Sequence, residues 1–357
     1  MRKAPIRYAA PGSSPGHAIE SVEADARDAR VHWIRYNESE IEQAEDAFAG
    51  DVLEGLAPHK VDWLHFDHVP GPKTLRWLKE RLGLDALALE DVHNGNQRTK
   101  LERFDSHSFL VVNVPVMQDG QVVLEQFSLF LGPHWIISIW PGPPGVVEPV
   151  RHRLRGGLGR LRKRAVDYLF YTLVDAAVDS AFPVLEAMRL EVEELEESLL
   201  EGPSDAALDR VRRSQRNIIT LRRLNIPGRE TFGQLAREED SPLTAQTRRY
   251  MRDVLDHHMR IGDMIDSLSE LARSMHELYL STLSHRMNDV MKLLTMIATI
   301  FIPLSFFTGL YGMNFNTEIS PWNMPELNSR YGYPILLLLL ATVAGLMIWL
   351  FRRRDWL

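Results

Sequence analysis

Two stretches near the end of the chain carry no Asp, Glu, Lys or Arg: Leu293 to Thr317 and Tyr331 to Phe351. The hydrocarbon core of a bilayer is roughly 30 Å thick and a helix rises about 1.5 Å per residue, so about 20 apolar residues cross it. Both stretches suffice, and no earlier window is expected to match them. Whatever else the chain builds must hang from two membrane helices joined by a short loop. Average composition conceals this, because 45% hydrophobic and 25% charged residues over 357 positions is what a soluble protein shows.

The opening segment, MRKAPIRYAAPGSSPGHAIE, is basic but lacks the apolar core of a signal peptide, so residues 1–29 read as a flexible tail. The large N-terminal part is then expected to stay in the cytoplasm, and two spans return the C-terminus to the same side. Arg286 and Lys292 precede the first stretch and Arg352, Arg353 and Arg354 follow the second. The loop between them holds Glu318, Glu326 and only Arg330, as the positive-inside rule requires. The expected location is the inner (plasma) membrane, with both termini cytoplasmic. The absence of cysteine fits a reducing compartment and excludes disulfides and thiolate metal sites.

Residues 30–164 are expected to form a cytoplasmic domain of the α/β or α+β class. Arg30–Tyr36, Val61–Phe66, Ser108–Met117, Val122–Phe130 and Trp135–Trp140 read as strands, and Ile41–Leu56, Pro72–Leu82 and Leu84–Asn94 as helices. After the turn-rich Pro141-Gly142-Pro143-Pro144-Gly145, residues 165–290 carry apolar positions at three- and four-residue steps, which means long helices. The last starts near Pro242 and meets no proline before Pro303, which need only kink a span. Run to Tyr311 it is roughly 100 Å long, a stalk joining the domain to the bilayer. The membrane portion then divides into residues 291–312, a loop 313–332, residues 333–351 and a basic end 352–357.

Two charge runs stand out. Glu186–Glu201 is strongly acidic, a solvated helix face or a reservoir of cations. Arg151–Arg164 holds seven basic residues in fourteen, but no aromatic side chain interleaves them and the whole chain carries charge −7. Pairing with the acidic helix is therefore expected in place of nucleic acid. His257-His258 and His65-x-x-His68 lack the H-E-x-x-H pattern and nearby cysteines, and read as packing or surface residues.

On a helical wheel the first span presents Asn288, Met291, Thr295, Ala298, Ile302, Ser305, Gly309 and Gly312 as one small or weakly polar stripe. Leu293, Ile297, Ile300, Phe301, Leu304, Phe307 and Leu310 mostly occupy the other sides. Such a stripe serves either helix packing or the wall of an aqueous path. Two spans per chain cannot enclose a path, whereas a symmetric ring of chains can. Read by itself, Gly312-Met313-Asn314 ends and caps the helix.

Tyr311-Gly312-Met313-Asn314, followed by Met324-Pro325-Glu326-Leu327, Tyr331-Gly332-Tyr333-Pro334 and a basic C-terminal cluster, resembles the CorA family of magnesium and cobalt transporters. Leu89-Glu90-Asp91-Val92, Gln97-Arg98-Thr99-Lys100, Asp167-Tyr168-Leu169 and Asn288-Asp289-Val290-Met291-Lys292 extend the resemblance over nearly the whole chain. It implies a funnel-shaped homopentamer in the lipid bilayer, with Gly312, Met313 and Asn314 ringing the outer mouth as the ion-selecting element. Magnesium is hard, small and slow to lose water, so neutral oxygens that bond its inner waters suit it better than a carboxylate clamp. Glu318 and Glu326 enrich cations at the mouth, or are merely solvated.

No phosphate loop of the G-x-x-x-x-G-K-[ST] form is present. The resemblance implies a gated channel driven by the membrane potential, with Met291, Leu294 and Ile302 as an apolar constriction. It also implies regulatory Mg2+ between neighbouring subunits, at Asp91 and Asp253 with Glu90 and Asp175 in support, and a lumen acid at Glu277. Ile302 stands where family members often have Met, and the loop from Phe315 to Met324 is longer than the family pattern. Two rival readings remain: a zinc transporter of the same superfamily, and a membrane-anchored sensor or scaffold. No nucleophile and base constellation points to an enzyme.

Overall fold

The computed structural model describes residues 19, 22–23, 25, 29–56, 59–202, 204–237, 241–316, 319–320, 322–354 and 356. Residues 1–197 with 205–275 form one compact unit, and residues 198–204 with 276–357 form a second.

The first unit opens with strands β1 (Arg30–Tyr36) and β2 (Ile41–Phe48), a short helix α1 (Ala49–Glu54) and strand β3 (Val61–Phe66). Helices α2 (Pro72–Leu82) and α3 (Ala86–Asn94) follow. Pro72 at the first helical position starts α2, and Gly83 in the left-handed region (φ 65°) ends it. Asp85 caps α3 by accepting from the amides of Leu87 and Ala88. Strands β4 (Lys100–Arg103), β5 (Ser108–Gln118), β6 (Gln121–Leu131) and β7 (Trp135–Ile139) complete one seven-stranded sheet of order β2-β1-β3-β7-β6-β5-β4. Only the β3/β7 pair is parallel; the other pairs are antiparallel.

Of residues 41–56, expected as a helix, Ala49–Glu54 is one, but Ile41–Phe48 is the edge strand β2, paired with β1 from Tyr36↔Ile41 to Arg30↔Phe48 through an irregularity at Val31/His32. Its Ala, Glu and Gln content favours a helix, and strand pairing overrides that preference. The four-residue β4 was not anticipated.

The sheet's two faces carry separate cores. On one, Leu64, Phe66, Phe109 and Phe130 pack on α2 and α3 through Leu75, Leu78 and Leu89. On the other, Trp63, Leu129 and Ile136 meet the helices that follow β7. These are α4 (Glu148–Arg155), α5 (Val166–Asp179), α6 (Ala181–Glu201), α7 (Asp205–Arg222), α8 (Asn225–Arg237) and α9 (Ala245–Tyr311). Within residues 166–201 an 18-residue window is itself apolar enough to cross a membrane, against expectation, but 61% of that window is buried within the protein. Its apolar residues serve the core.

The basic segment behaves differently from expectation too. Arg155 pairs with Glu45 and Glu148, Arg151 with Glu148, and Lys163 with Glu38. The acids of α6 bond Arg189 on the same helix and Arg210 of α7. Proximity in the chain, and the edge strand that the sequence had hidden, supply the counter-charges.

In the second unit α9 continues as one helix with Pro303 inside it. A loop with a 3-10 turn (Pro325–Asn328) leads to α10 (Gly332–Arg353). The apolar windows of α9 and α10 are only 6% and 0% buried, so most of their surface is left for lipid or for other chains.

Candidate pore mouth and acidic cluster

α9 closes with the Gly312 amide donating to Thr308 O at 2.9 Å and the Met313 amide to Leu310 O at 3.3 Å. Gly312 is not in the left-handed region, so it is not the αL cap that its position suggests. A side-chain carbon there would instead stand 3.0 Å from Thr308 O, a tighter approach than a neighbouring backbone tolerates without shifting. Gly312, Met313 and Asn314 are all exposed. The last carbonyls of a helix have no amide partner ahead of them, so oxygen acceptors gather where α9 stops.

The loop folds back on that end. Asn323 Nδ2 donates to Asn316 O at 2.7 Å, and the Tyr311 hydroxyl donates to Glu326 Oε1 at 3.4 Å. Gly332 opens α10 where any side-chain carbon would lie 2.3 Å from Glu326 O. Glu326 is thereby tied to the terminus of α9. Glu318 lies outside the described residues.

Along α9, the partly covered positions Ile300, Pro303 and Phe307 continue the buried Met296 at three- and four-residue steps; Leu336, Leu340, Val343 and Met347 do the same along α10. These patterns mark the side of each span that the chain itself partly covers. The small and polar stripe lies elsewhere: Asn288, Met291, Thr295, Ile302, Ser305, Gly309 and Gly312 are exposed, and Ala298 is partly covered. Met291, Leu294 and Ile302 are 57%, 59% and 67% exposed. Thr295 returns its hydroxyl to Met291 O at 2.7 Å. Glu277, at the start of this unit, is also exposed.

The acids of the first unit fall into two groups. On α3, Asp91 is half-buried and held by Lys100 Nζ at 2.5 Å, and the same ammonium bonds Glu102 at 2.7 Å. Burial outweighs Lys100 and raises the Asp91 carboxyl above its ordinary range. Glu90 precedes it on the same helix. Asp253 is not a partner of Asp91 within the chain. It lies on α9, 4.0 Å from His257 Nε2, with a side chain 64% exposed.

His257 Nδ1 bonds Asp179 at 2.7 Å, and donor atoms of Asp175, Asp179 and His257 lie within 4.8 Å of one another. Burial, then the charge of Asp179, pushes the Asp175 carboxyl up to about 6. Burial alone would lower His257, but the hydrogen bond and charge of Asp179 outweigh it and raise the imidazole. Two carboxylates and one imidazole offer oxygen and nitrogen donors that fit a divalent ion, the nitrogen favouring Co2+ or Zn2+ over Mg2+. His257 is a partly exposed residue bonded to Asp179, whereas His258 packs in the interior: it is buried, bonds Asn225 O at 3.0 Å and meets the Phe232 ring edge-on. Asp179 and His257 are 78 positions apart, and no local motif announces them.

The sequence model of the CorA-like Mg2+ transporter protein family matches residues 58–353. The cobalt/magnesium transport protein CorA of Thermotoga maritima is 33% identical over 332 residues, 92% of this chain and 93% of that one. The zinc transport protein ZntB of Cronobacter sakazakii is 24% identical, over 95% of this chain and 99% of its own. The solved structure of the CorA magnesium transporter from Methanocaldococcus jannaschii superposes with a TM-score of 0.76 at 19% identity, covering 91% of this chain and 98% of that one. That likeness concerns the fold.

Proposed function

The chain belongs to the CorA-like Mg2+ transporter family, and from that premise we propose that it conducts divalent cations through a path lined by α9 in a ring of five copies. Mg2+ is the principal cargo, with Co2+ and Ni2+ as further substrates. The observation that carries this reading is the division of α9. Its partly covered side is Met296, Ile300, Pro303 and Phe307, which leaves the exposed stripe from Asn288 to Gly312 free to face a common axis.

At the outer end, Asn314 and the carbonyls of Gly312 and Met313 would meet the ion as neutral acceptors, repeated around the ring. They bond water that the ion keeps, so entry does not require full dehydration and exit is not blocked by a carboxylate clamp. Glu326 raises the local cation concentration from beside Tyr311. The driving force is the membrane potential, about 4.6 kcal/mol per 100 mV for a divalent ion at about 2.3 per charge. Met291, Leu294 and Ile302 form an apolar constriction that closes by dewetting.

Gating is assigned to a divalent ion between Asp91 of one subunit and Asp253 of the next, supported by Glu90 and Asp175. Lys100 occupies Asp91 in the single chain, so an arriving ion must displace an ammonium. Paired carboxylates at an interface repel without a cation between them, and loss of internal Mg2+ loosens the ring. The second reading is zinc transport, favoured by the His257 nitrogen beside Asp175 and Asp179.

Purified protein in liposomes under an inward-negative potential tests the assignment. Wild type is expected to take up Mg2+ in preference to Zn2+, and Asn314→Ala to lose at least about tenfold in Mg2+ uptake, the effect of removing one polar ligand group per subunit. Equal uptake by the variant would remove Asn314 from ion selection, and Zn2+ uptake exceeding that of Mg2+ would favour the second reading.

A further inference from the structure

The first unit contains a basic cavity that ion conduction does not use. It measures about 320 Å3, within the roughly 300–1,000 Å3 range of small-molecule sites. Its wall combines the end of β1 (Tyr36), the start of β3 (Lys60, Val61), the β6–β7 turn (His134) and the segment from Arg162 to Val166 that leads into α5.

Three features converge there. Arg162 donates to the carbonyls of Leu154 and Arg155 at 2.7 Å, and Arg164 to the side chain of Gln246, all neutral acceptors. Among the described residues neither arginine has a carboxylate within ion-pair range. Lys163 stands a loose 3.7 Å from Glu38, with a side chain 64% exposed. Lys60, by contrast, is already neutralised by Glu40 and Glu42 and adds little.

Next, the 14-residue helix α5 begins at this wall without a side-chain cap, because Ala165 holds the cap position and offers no oxygen. The Tyr168 amide turns back to Ala165 O at 3.0 Å, and the positive dipole end of the helix faces the cavity wall without a side-chain acceptor. The acid of the first turn does not fill that role, since Asp167 is turned to the Thr244 amide at 2.8 Å. Finally, Tyr36 is 1% exposed and its hydroxyl has no hydrogen-bond partner among the described residues. A buried hydroxyl without a partner costs on the order of 1–3 kcal/mol, which a bound acceptor would offset.

We propose that this cavity binds a small phosphate-bearing anion, seated on the start of α5 between Lys163 and Arg164 and reaching the Tyr36 hydroxyl. The phosphate group is the shared chemistry; inorganic phosphate and a nucleoside monophosphate are its two sources. The site is independent of the conduction path and carries no metal. Because it touches the entry to α5, whose far end holds Asp175 and Asp179, occupancy changes the stability of the element that presents those acids.

The test is calorimetric titration of the full-length protein in nanodiscs, in Mg2+-free buffer, with inorganic phosphate and separately with AMP. One anion per chain is expected, with Lys163→Gln/Arg164→Gln weakening it at least tenfold. Tyr36→Phe keeps the ring and is expected to weaken it severalfold. Thermal melts without ligand check that each variant is folded. Tighter binding of AMP than of phosphate identifies a nucleotide site, and equal binding identifies the phosphate group alone. No saturable binding of either, or binding unchanged in both folded variants, overturns the proposal whatever the outcome of the flux experiments.

Discussion

Lys100 is placed to compete with any cation that approaches Asp91, and its removal has a calculable effect. Its ammonium bonds Asp91 at 2.5 Å and Glu102 at 2.7 Å, with both ends of the Asp91 pair about four-fifths shielded from solvent (21% and 19% exposed). A hydrogen bond to a charged group is worth about 1.5–3 kcal/mol net. A divalent ion that must displace Lys100 forgoes that amount, a factor of about 10 to 100 in affinity at about 1.4 kcal/mol per decade.

Lys100→Met should therefore lower the Mg2+ concentration that closes the protein by about one to two orders of magnitude, whereas Lys100→Arg, which keeps the charge, should stay near wild type. Two midpoints report it: internal Mg2+ suppressing flux in liposomes, and Mg2+ protecting the detergent-solubilised protein from trypsin. The helix should survive the change, because the Asp91 carbonyl still accepts from the Gly95 amide and from Gln126 Nε2, each at 3.1 Å. A midpoint that stays put, or rises, in a variant that melts like wild type would refute the competition and with it the regulatory role of Asp91.

Two further outcomes follow from the core. Asp62 is fully buried, accepts from Arg35 Nε at 2.8 Å and Trp33 Nε1 at 2.9 Å, and its other oxygen has no partner among the described residues. Arg35→Ala should cost about 3–5 kcal/mol in chemical denaturation, while pairing Arg35→Met with Asp62→Leu should recover most of it; a loss below 1 kcal/mol in the single variant contradicts this. His65 is buried against Ser138, and burial, followed by the nearby Arg151 charge, lowers its pKa to about 3. The unfolded chain takes up a proton near pH 6.5 and the folded chain does not, so stability falls as pH drops from about 6.5 towards 3, by up to about 1.4 kcal/mol per unit. His65→Gln should flatten that slope relative to wild type; an identical slope means the imidazole is protonated in the fold.

The elements most legible in the sequence were those whose pattern matches their burial. β1, β3, β5 and β7 are rich in Val, Ile, Phe and Trp and sit inside the sheet, and α9 declares itself by an unbroken periodicity into an uncharged run. The edge strand β2 was hidden because its Glu42, Glu45 and Asp46 face solvent and only its partner β1 makes it a strand. The apolar window within residues 166–201 shows the reverse case, apolar enough for a span yet spent on a core that only the sheet defines.

At the site, the end of α9 just before Gly312 to Asn314 could be read directly, since helix termination is a local property. The reason for the glycine could not: close approach to Thr308 O and not a left-handed backbone. Asp175, Asp179 and His257 come together only because α5 packs on α9, a relation that spacing along the chain does not record. The same holds for Lys100 beside Asp91, which turns a surface acid into one that an ion must win.

The chain has no native cysteine, so single cysteines can be placed along α9 without background, and this gives the most direct test of the central claim that the stripe faces water. Cysteines at Thr295, Ile302, Ser305 and Gly309 should react with a membrane-impermeant thiol reagent and make transport sensitive to it, whereas those at Ile300 and Phe307 should not. Reaction confined to Ile300 and Phe307, or a stripe that stays unreactive while uptake of Mg2+ proceeds, would contradict an aqueous path along that face.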